Sequence, residues 1–93
     1  MEIDFQTTPF RAQKFVALYG PAAARVLAYG ASGYLLYRSE DDPDHFVHLS
    51  FWENRSDFDR YWLSSEIQEV RRQLSGFYEQ PVLPHWGALY GRG

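Results

Sequence analysis

The residues with the clearest chemical potential lie in one alternating stretch, 46–52, which reads FVHLSFW. Alternation at a period of two places Phe46, His48, Ser50 and Trp52 on one side of a strand, and we name this set the mixed face. A histidine titrates near neutral pH, so His48 can act as a general base toward a phenol held beside it. Trp52 offers a flat wall for an aromatic ligand. The same pattern also fits a histidine hydrogen-bonded within an interface and a tryptophan that only packs.

Other kinds of chemical site find little support in the sequence. His45 and His48 have the spacing of a metal-binding pair, but residues three apart on a strand point to opposite faces. The chain has no cysteine and only one further histidine, His85, so we expect no metal site. The acidic linker 39–44, SEDDPD, lacks the glycine and the closing glutamate of a calcium loop. A nucleophile elbow, a phosphate-binding glycine loop and a dinucleotide fingerprint are also missing, so we expect no cofactor.

Hydrophobic periodicity predicts the elements that position this stretch. Short alternating runs indicate strands, and longer runs with apolar residues three and four apart indicate helices. The predicted order is strand, helix, strand, strand, helix, strand, with strands at 2–6, 33–38, from 46 onward and near 85–90. This βαββαβ order is the ferredoxin-like α+β pattern, an antiparallel sheet with helices on one face. At this length we expect a single domain over residues 1–93.

Caps and breakers set the predicted helix boundaries. The apolar stripe of the first helix is Phe15, Tyr19, Ala22 or Ala23, Val26 and Tyr29. Pro21 either kinks this helix or divides it, because proline removes an amide donor and clashes with the preceding turn. Asn54 or Ser56 is predicted to cap the second helical region. Ser65 with Gln68 three residues later forms a capping box, which predicts a break in that region.

The two faces of the third strand differ in composition, which assigns them to different surroundings. Val47, Leu49 and Phe51 are wholly apolar, so we predict that they lie under the helices. The mixed face then forms part of the open side of the sheet. A monomer would expose two large rings there, and a second copy packed against that side would bury them. We therefore expect a homodimer that encloses a space between two sheets.

Charge and composition argue against several classes of partner. The 93-residue chain has a net charge of −3 and only one adjacent basic pair, Arg71-Arg72, so we expect no nucleic-acid partner. The stretch 15–37 is long enough to cross a bilayer, but Arg25 near its centre and a Gly-Pro step oppose a membrane span. The acidic N-terminus is unlike a signal peptide, and the lack of cysteine fits a reducing compartment. We expect a cytoplasmic protein with no membrane partner.

The stretch 46–66, FVHLSFWENRSDFDRYWLSSE, resembles the antibiotic biosynthesis monooxygenase-like group of dimeric α+β barrel proteins. In that group a strand ends in an aromatic-Trp step, and an amphipathic helix then leads to a serine before a second short helix. The resemblance implies a homodimer whose sheets close into a barrel, with a pocket between sheet and helices. Some members oxidise polycyclic phenols with oxygen and no cofactor, because the substrate anion itself activates the oxygen. The matching pocket residues are Trp52, Trp62, His48 and Asn54.

The heme-degrading branch of this group provides a sharper test. Its helix carries a tryptophan, a serine three residues on and a heme-ligating histidine ten residues after the tryptophan, and its first strand carries an asparagine. Trp62 and Ser65 match, but Arg72 occupies the ligand position and strand 2–6 has no asparagine. Heme degradation is therefore the less favoured activity. Arg72 is either a surface charge or a group that binds an anionic part of a substrate.

The leading expectation is a protein that binds a small aromatic or quinone-like metabolite and oxidises it without a cofactor. The candidate catalytic residues are His48 and Trp62, and the candidate substrate-binding residues are Phe46, Trp52, Asn54 and Arg72. The alternative is a non-catalytic binding or interaction module with a filled barrel. A cavity of roughly 300 Å³ or more would favour the first expectation, because drug-sized ligands need that space.

Overall fold

Three strands and three α-helices make up the described part of the chain, residues 1–78 and 82–91, in a computed structural model. The elements are β1 Glu2–Gln6, α1 Ala12–Ala24, a 3₁₀ helix Arg25–Tyr29, β2 Gly33–Arg38, β3 His45–Phe51, α2 Arg55–Trp62 and α3 Ser65–Leu74. The strands form one antiparallel sheet in the order β1-β3-β2. This arrangement confirms the ferredoxin-like α+β class.

The predicted last strand is reduced to a single bridge. Glu2 and His85 exchange two backbone hydrogen bonds of 2.8 Å, which places the C-terminal segment beside β1. No further ladder forms in residues 82–91. Pro84 has no amide hydrogen to donate, which limits pairing on that side of the bridge.

The helices cover one face of the sheet and meet it in a cluster of rings. The Phe5 ring of β1 lies 4.9 Å from Phe15 and 4.6 Å from Tyr19, centroid to centroid, and Phe46 of β3 lies 4.7 Å from Phe15. These four residues are at most 2% exposed. The predicted apolar stripe of the first helix is confirmed, since α1 buries Phe15, Tyr19, Ala22 and Ala23, and Val26 follows in the 3₁₀ helix.

The predicted assignment of the two faces of β3 is wrong. Phe46 and His48 point toward the helices, where they contact Phe15 and Tyr19 of α1. The alternate residues of β3, starting with Val47, therefore lie on the open side of the sheet. Their more apolar character predicts burial under the helices. His48 lies there instead, because the buried Tyr19 hydroxyl bonds one of its ring nitrogens and offsets part of the cost of burial.

Pro21 does not divide the first helix. α1 continues through it from Ala12 to Ala24 and then tightens into the 3₁₀ helix. This segment ends at Gly30, whose φ of +112° favours glycine. A Cβ at that position would lie 3.2 Å from the Asp57 carboxylate, so a side chain there would also crowd Asp57 of α2.

The predicted break between α2 and α3 is confirmed, but its capping residues differ. Ser64, not Ser65, is the N-cap of α3, and its side chain accepts a hydrogen bond from the Ile67 amide at 3.3 Å. Gln68 instead donates to the Leu63 carbonyl at 2.8 Å. Asn54 occupies the N-cap position of α2 without a side-chain cap bond.

The stretch 15–37 divides among α1, the 3₁₀ helix and β2. In the described ranges, no helix combines the length and the apolar character that a membrane span requires.

Candidate functional site

A cleft lies on the helix-covered side of the sheet, where β1 meets the end of α2 and the C-terminal half of α3. Its volume is about 270 Å³. We name it the Trp62 cleft, and its lining residues are Phe5, Trp62, Arg71, Ser75, Tyr78 and Val82. Aromatic rings form three of its walls. The structure thus places one predicted site residue, Trp62, at the wall of a cleft.

The guanidinium of Arg71 supplies the positive charge of this cleft. It lies 4.1 Å above the centroid of the Trp62 ring, and its Nη1 donates to the Trp62 carbonyl at 3.3 Å. This arrangement is a cation–π contact with a second, backbone anchor. Within residues 1–78 and 82–91, Arg71 makes no ion pair with a carboxylate.

Sequence reasoning singled out Arg72 and missed Arg71. Arg72 is an exposed residue whose Nε donates to the Glu69 carboxylate at 2.9 Å. Arg71 follows Ile67 by four residues and precedes Leu74 by three, so it lies on the buried side of α3. The helical periodicity of α3 therefore distinguishes Arg71, on the buried side, from the exposed Arg72.

Tyr78 places a hydroxyl group at the same cleft. Its ring lies 5.7 Å from that of Phe5, centroid to centroid. Burial raises the pKa of Tyr78, and the nearby positive charge of Arg71 partly opposes that rise. The phenol therefore keeps its proton at neutral pH and can donate a hydrogen bond to a ligand.

His48 lies in the core and is inaccessible to solvent. Its Nδ1 and the Tyr19 hydroxyl are 2.7 Å apart, and Nε2 has no hydrogen-bond partner. Burial lowers the pKa of His48 to about 4; the Ala23 carbonyl opposes this change and the N-terminal amine adds to it. The imidazole is consequently neutral at physiological pH. The phenol bonded to His48 is therefore the side chain of Tyr19 and not a bound substrate.

Trp52 lies at a different cleft. Its indole Nε1 donates to Ser50 Oγ at 2.7 Å, and it lines a space of about 390 Å³ together with Ser50 and Trp86. Phe58 separates the two clefts. Its ring meets Trp52 edge-on at 5.6 Å and stacks on Trp62 at 5.8 Å.

The remaining predicted site residues are not brought to the Trp62 cleft. Phe46 lies in the ring cluster of the core and also borders a separate space of about 340 Å³ beside Tyr37. Asn54 is exposed at the start of α2, and Arg72 is exposed on α3. The structure thus distributes the predicted set over the core, two clefts and the surface.

The two histidines of the predicted metal-type pair point in opposite directions, as alternation predicts. His45 Nε2 lies 2.9 Å from Asp4 Oδ1 on the open side of the sheet, while His48 faces Tyr19. Across the described ranges, no group of three or more His, Cys, Asp or Glu side chains is arranged to hold a metal ion.

Comparison with known proteins agrees with this architecture. The family model for antibiotic biosynthesis monooxygenase matches residues 1–73. The chain belongs to this family. No curated protein matches this chain significantly.

Solved structures share the fold of this family member. A putative antibiotic biosynthesis monooxygenase from Nitrosomonas europaea has 17% sequence identity and a TM-score of 0.86, and the match covers 99% of this chain and 90% of that one. A protein from Mycobacterium tuberculosis has 21% identity and a TM-score of 0.84, covering 99% and 95%. A putative antibiotic biosynthesis monooxygenase from Bordetella bronchiseptica has 24% identity and a TM-score of 0.75, covering 95% of each chain. At these identities the likeness establishes the fold.

Proposed function

We propose that this family member binds a small aromatic molecule in the Trp62 cleft. The observation that carries the proposal is the wall of three rings, Phe5, Trp62 and Tyr78, around a space of about 270 Å³. Concave sites with apolar walls and a few polar groups are typical of small-molecule binding. The volume is slightly below the roughly 300 Å³ at which drug-sized sites begin, so it favours a ligand of one or two rings.

The proposed activity is oxidation of such a ligand by molecular oxygen without a cofactor, as the family resemblance implies. For a phenol, one O₂ converts the substrate to a quinone and water: one oxygen atom enters the ring and the other leaves with two substrate hydrogens. Trp62 forms part of the wall against which the ligand ring packs. His48 does not serve as the base in this scheme, because it is buried and bonded to Tyr19. We also expect a cytoplasmic location, on the basis of the cysteine-free sequence.

Truncation of the Trp62 side chain tests ligand binding. Trp62→Ala is expected to weaken binding of 1-naphthol by about tenfold, because loss of an aromatic wall of the cleft costs on the order of 1 kcal/mol or more. Trp86→Ala is the matched control, since Trp86 is a half-buried tryptophan at the other cleft. Isothermal titration calorimetry measures both. Equal affinity of the wild type and the Trp62 variant would refute the placement of the ligand.

Oxygen uptake separates an enzyme from a non-catalytic binding module. With 1-naphthol and a metal chelator present, we expect one O₂ consumed for each quinone formed. Binding without oxygen consumption would support the binding-module alternative.

We further propose that the protein is a homodimer formed through the open side of the sheet. Leu35 and Tyr37 of β2 lie there, 55% and 49% exposed. Across the sheet, Leu35 aligns with Leu49 of β3. Exposed apolar patches on a sheet mark interaction sites, and the family resemblance implies a homodimer.

A charge on this face should dissociate the dimer. Leu35→Asp is expected to raise the dimer dissociation constant at least about tenfold, because the carboxylate would lose its water on association. Leu63→Asp is the control, since Leu63 is 63% exposed at the junction of α2 and α3. Native mass spectrometry over a dilution series reports the subunit count. A wild-type chain that is monomeric at every concentration would refute the dimer.

A further inference from the structure

The half-buried charge of Arg71 bears on the class of ligand that the Trp62 cleft accepts. A cation that is partly removed from water is stabilised by an anion at contact distance. Arg71 faces the cleft from the buried side of α3, and the contacts it makes in residues 1–78 and 82–91 are the Trp62 ring and the Trp62 carbonyl. Neither contact neutralises a full positive charge.

The other arginines of the described ranges have different surroundings. Three form ion pairs at the surface: Arg25 with Glu66, Arg60 with Asp57 and Arg72 with Glu69. Three more, Arg11, Arg38 and Arg55, stack on rings but are exposed to water. Arg71 differs from all six because it is half-buried, stacked and without a carboxylate partner.

We propose that the Trp62 cleft selects aromatic carboxylates, and that Arg71 is the residue that recognises the negative charge. This inference rests on the proposed function and adds the charge of the ligand to it. An aromatic ring held in the cleft against Phe5 would place its carboxylate near the guanidinium. Arginine suits this task because its planar group presents several donors to an oxyanion.

Tyr78 complements Arg71 as a neutral donor. Its protonated hydroxyl adds a hydrogen bond to an anionic oxygen without adding charge. The third polar group of the cleft is engaged elsewhere, since Ser75 Oγ donates to the Arg72 carbonyl at 2.9 Å. Recognition of the anion is therefore assigned to Arg71, with Tyr78 in support.

A charged and a neutral ligand of nearly the same shape test the inference. Binding of 2-naphthoate and 2-naphthamide is measured by calorimetry for the wild type, Arg71→Gln, Arg71→Lys and Arg72→Gln. The wild type is expected to prefer naphthoate by about tenfold to a hundredfold, as a charge-assisted hydrogen bond is worth 1.5–3 kcal/mol. Arg71→Gln should lose this preference, and Arg71→Lys should keep part of it. Arg72→Gln removes the same charge one residue away and should keep all of it.

The outcomes separate failure of the inference from failure of the proposed function. If the wild type binds both ligands equally, the aromatic cleft stands and the anion preference is refuted. If Arg72→Gln loses as much preference as Arg71→Gln, the effect comes from net charge and not from recognition at the cleft. If Arg71→Gln weakens the binding of both ligands to the same degree, Arg71 contributes packing and does not recognise the charge. If neither ligand binds the wild type, the anion preference is refuted, and binding of 1-naphthol decides whether the aromatic cleft stands. Circular dichroism and urea midpoints verify that each variant is folded.

Discussion

Acidification from pH 7 to pH 4 is expected to lower the free energy of unfolding by about 3 kcal/mol through His48 alone. The pKa of His48 falls from 6.5 in a model peptide to about 4 in the folded chain because the ring is buried. The unfolded chain therefore takes up this proton first. The stabilising contribution is complete above about pH 6.5, decreases as the pH falls, and is lost near pH 4. Urea unfolding at a fixed protein concentration measures the change.

A non-titrating variant isolates the effect of His48. His48→Gln retains a hydrogen-bonding side chain opposite Tyr19, and we expect its stability to change much less between pH 7 and pH 4. His45→Gln, which alters the half-exposed partner of Asp4, should retain the decrease. The carboxylates whose pKa is lowered, such as Glu69 at about 2, begin to lose their stabilising contribution only below about pH 5, so the change between pH 7 and pH 5 isolates His48. A wild-type stability that is level from pH 7 to pH 4.5 would contradict the prediction.

Phe15→Ala is expected to lower the free energy of unfolding by about 3–5 kcal/mol, the usual cost of removing a buried aromatic ring. Phe15 is inaccessible to solvent and its ring contacts those of Phe5, Tyr19 and Phe46. The truncation leaves a cavity at the point where α1 meets both β1 and β3. Urea unfolding monitored by circular dichroism gives the value.

Phe10→Ala is the matched control for the core truncation. Phe10 is fully exposed in the turn before α1, so its loss should change stability by less than about 0.5 kcal/mol. If Phe15→Ala is too unstable to study, Phe15→Leu should show a smaller loss in the same direction. Equal effects at positions 10 and 15 would mean that the ring cluster does not stabilise the fold.

The element order was accessible from the sequence because periodicity and caps report on local structure. The stripe that includes Phe15 and Tyr19 has the spacing of a helix, and the alternation of 46–52 has that of a strand. The direction in which each face points depends on distant partners. Tyr19, whose hydroxyl bonds His48, is 29 residues away from it in the chain. The sequence pattern around His48 does not reveal this partner, and a histidine without a partner is expected on an accessible face. Ranking the faces of β3 by apolar character therefore inverted them.

The candidate site was only partly accessible for a related reason. Trp62 was found through its family-like position, and Arg71 could have been found from its spacing to Ile67. Tyr78 and Val82 reach the cleft after α3 has ended, in a segment without a periodic pattern. Their place depends on how the chain turns back over the sheet, which no local signal specifies.

The position of β2 in the sheet affects how newly synthesised chains associate with one another. With the order β1-β3-β2, β2 is an edge strand in the described part of the chain, and it displays Leu35 and Tyr37 beside an open row of backbone groups. Such an edge is a template for aggregation. The acidic turn 39–44 follows it directly and places like charges where two such edges would align. Negative charge beside this edge is thus expected to oppose edge-to-edge pairing of newly made chains.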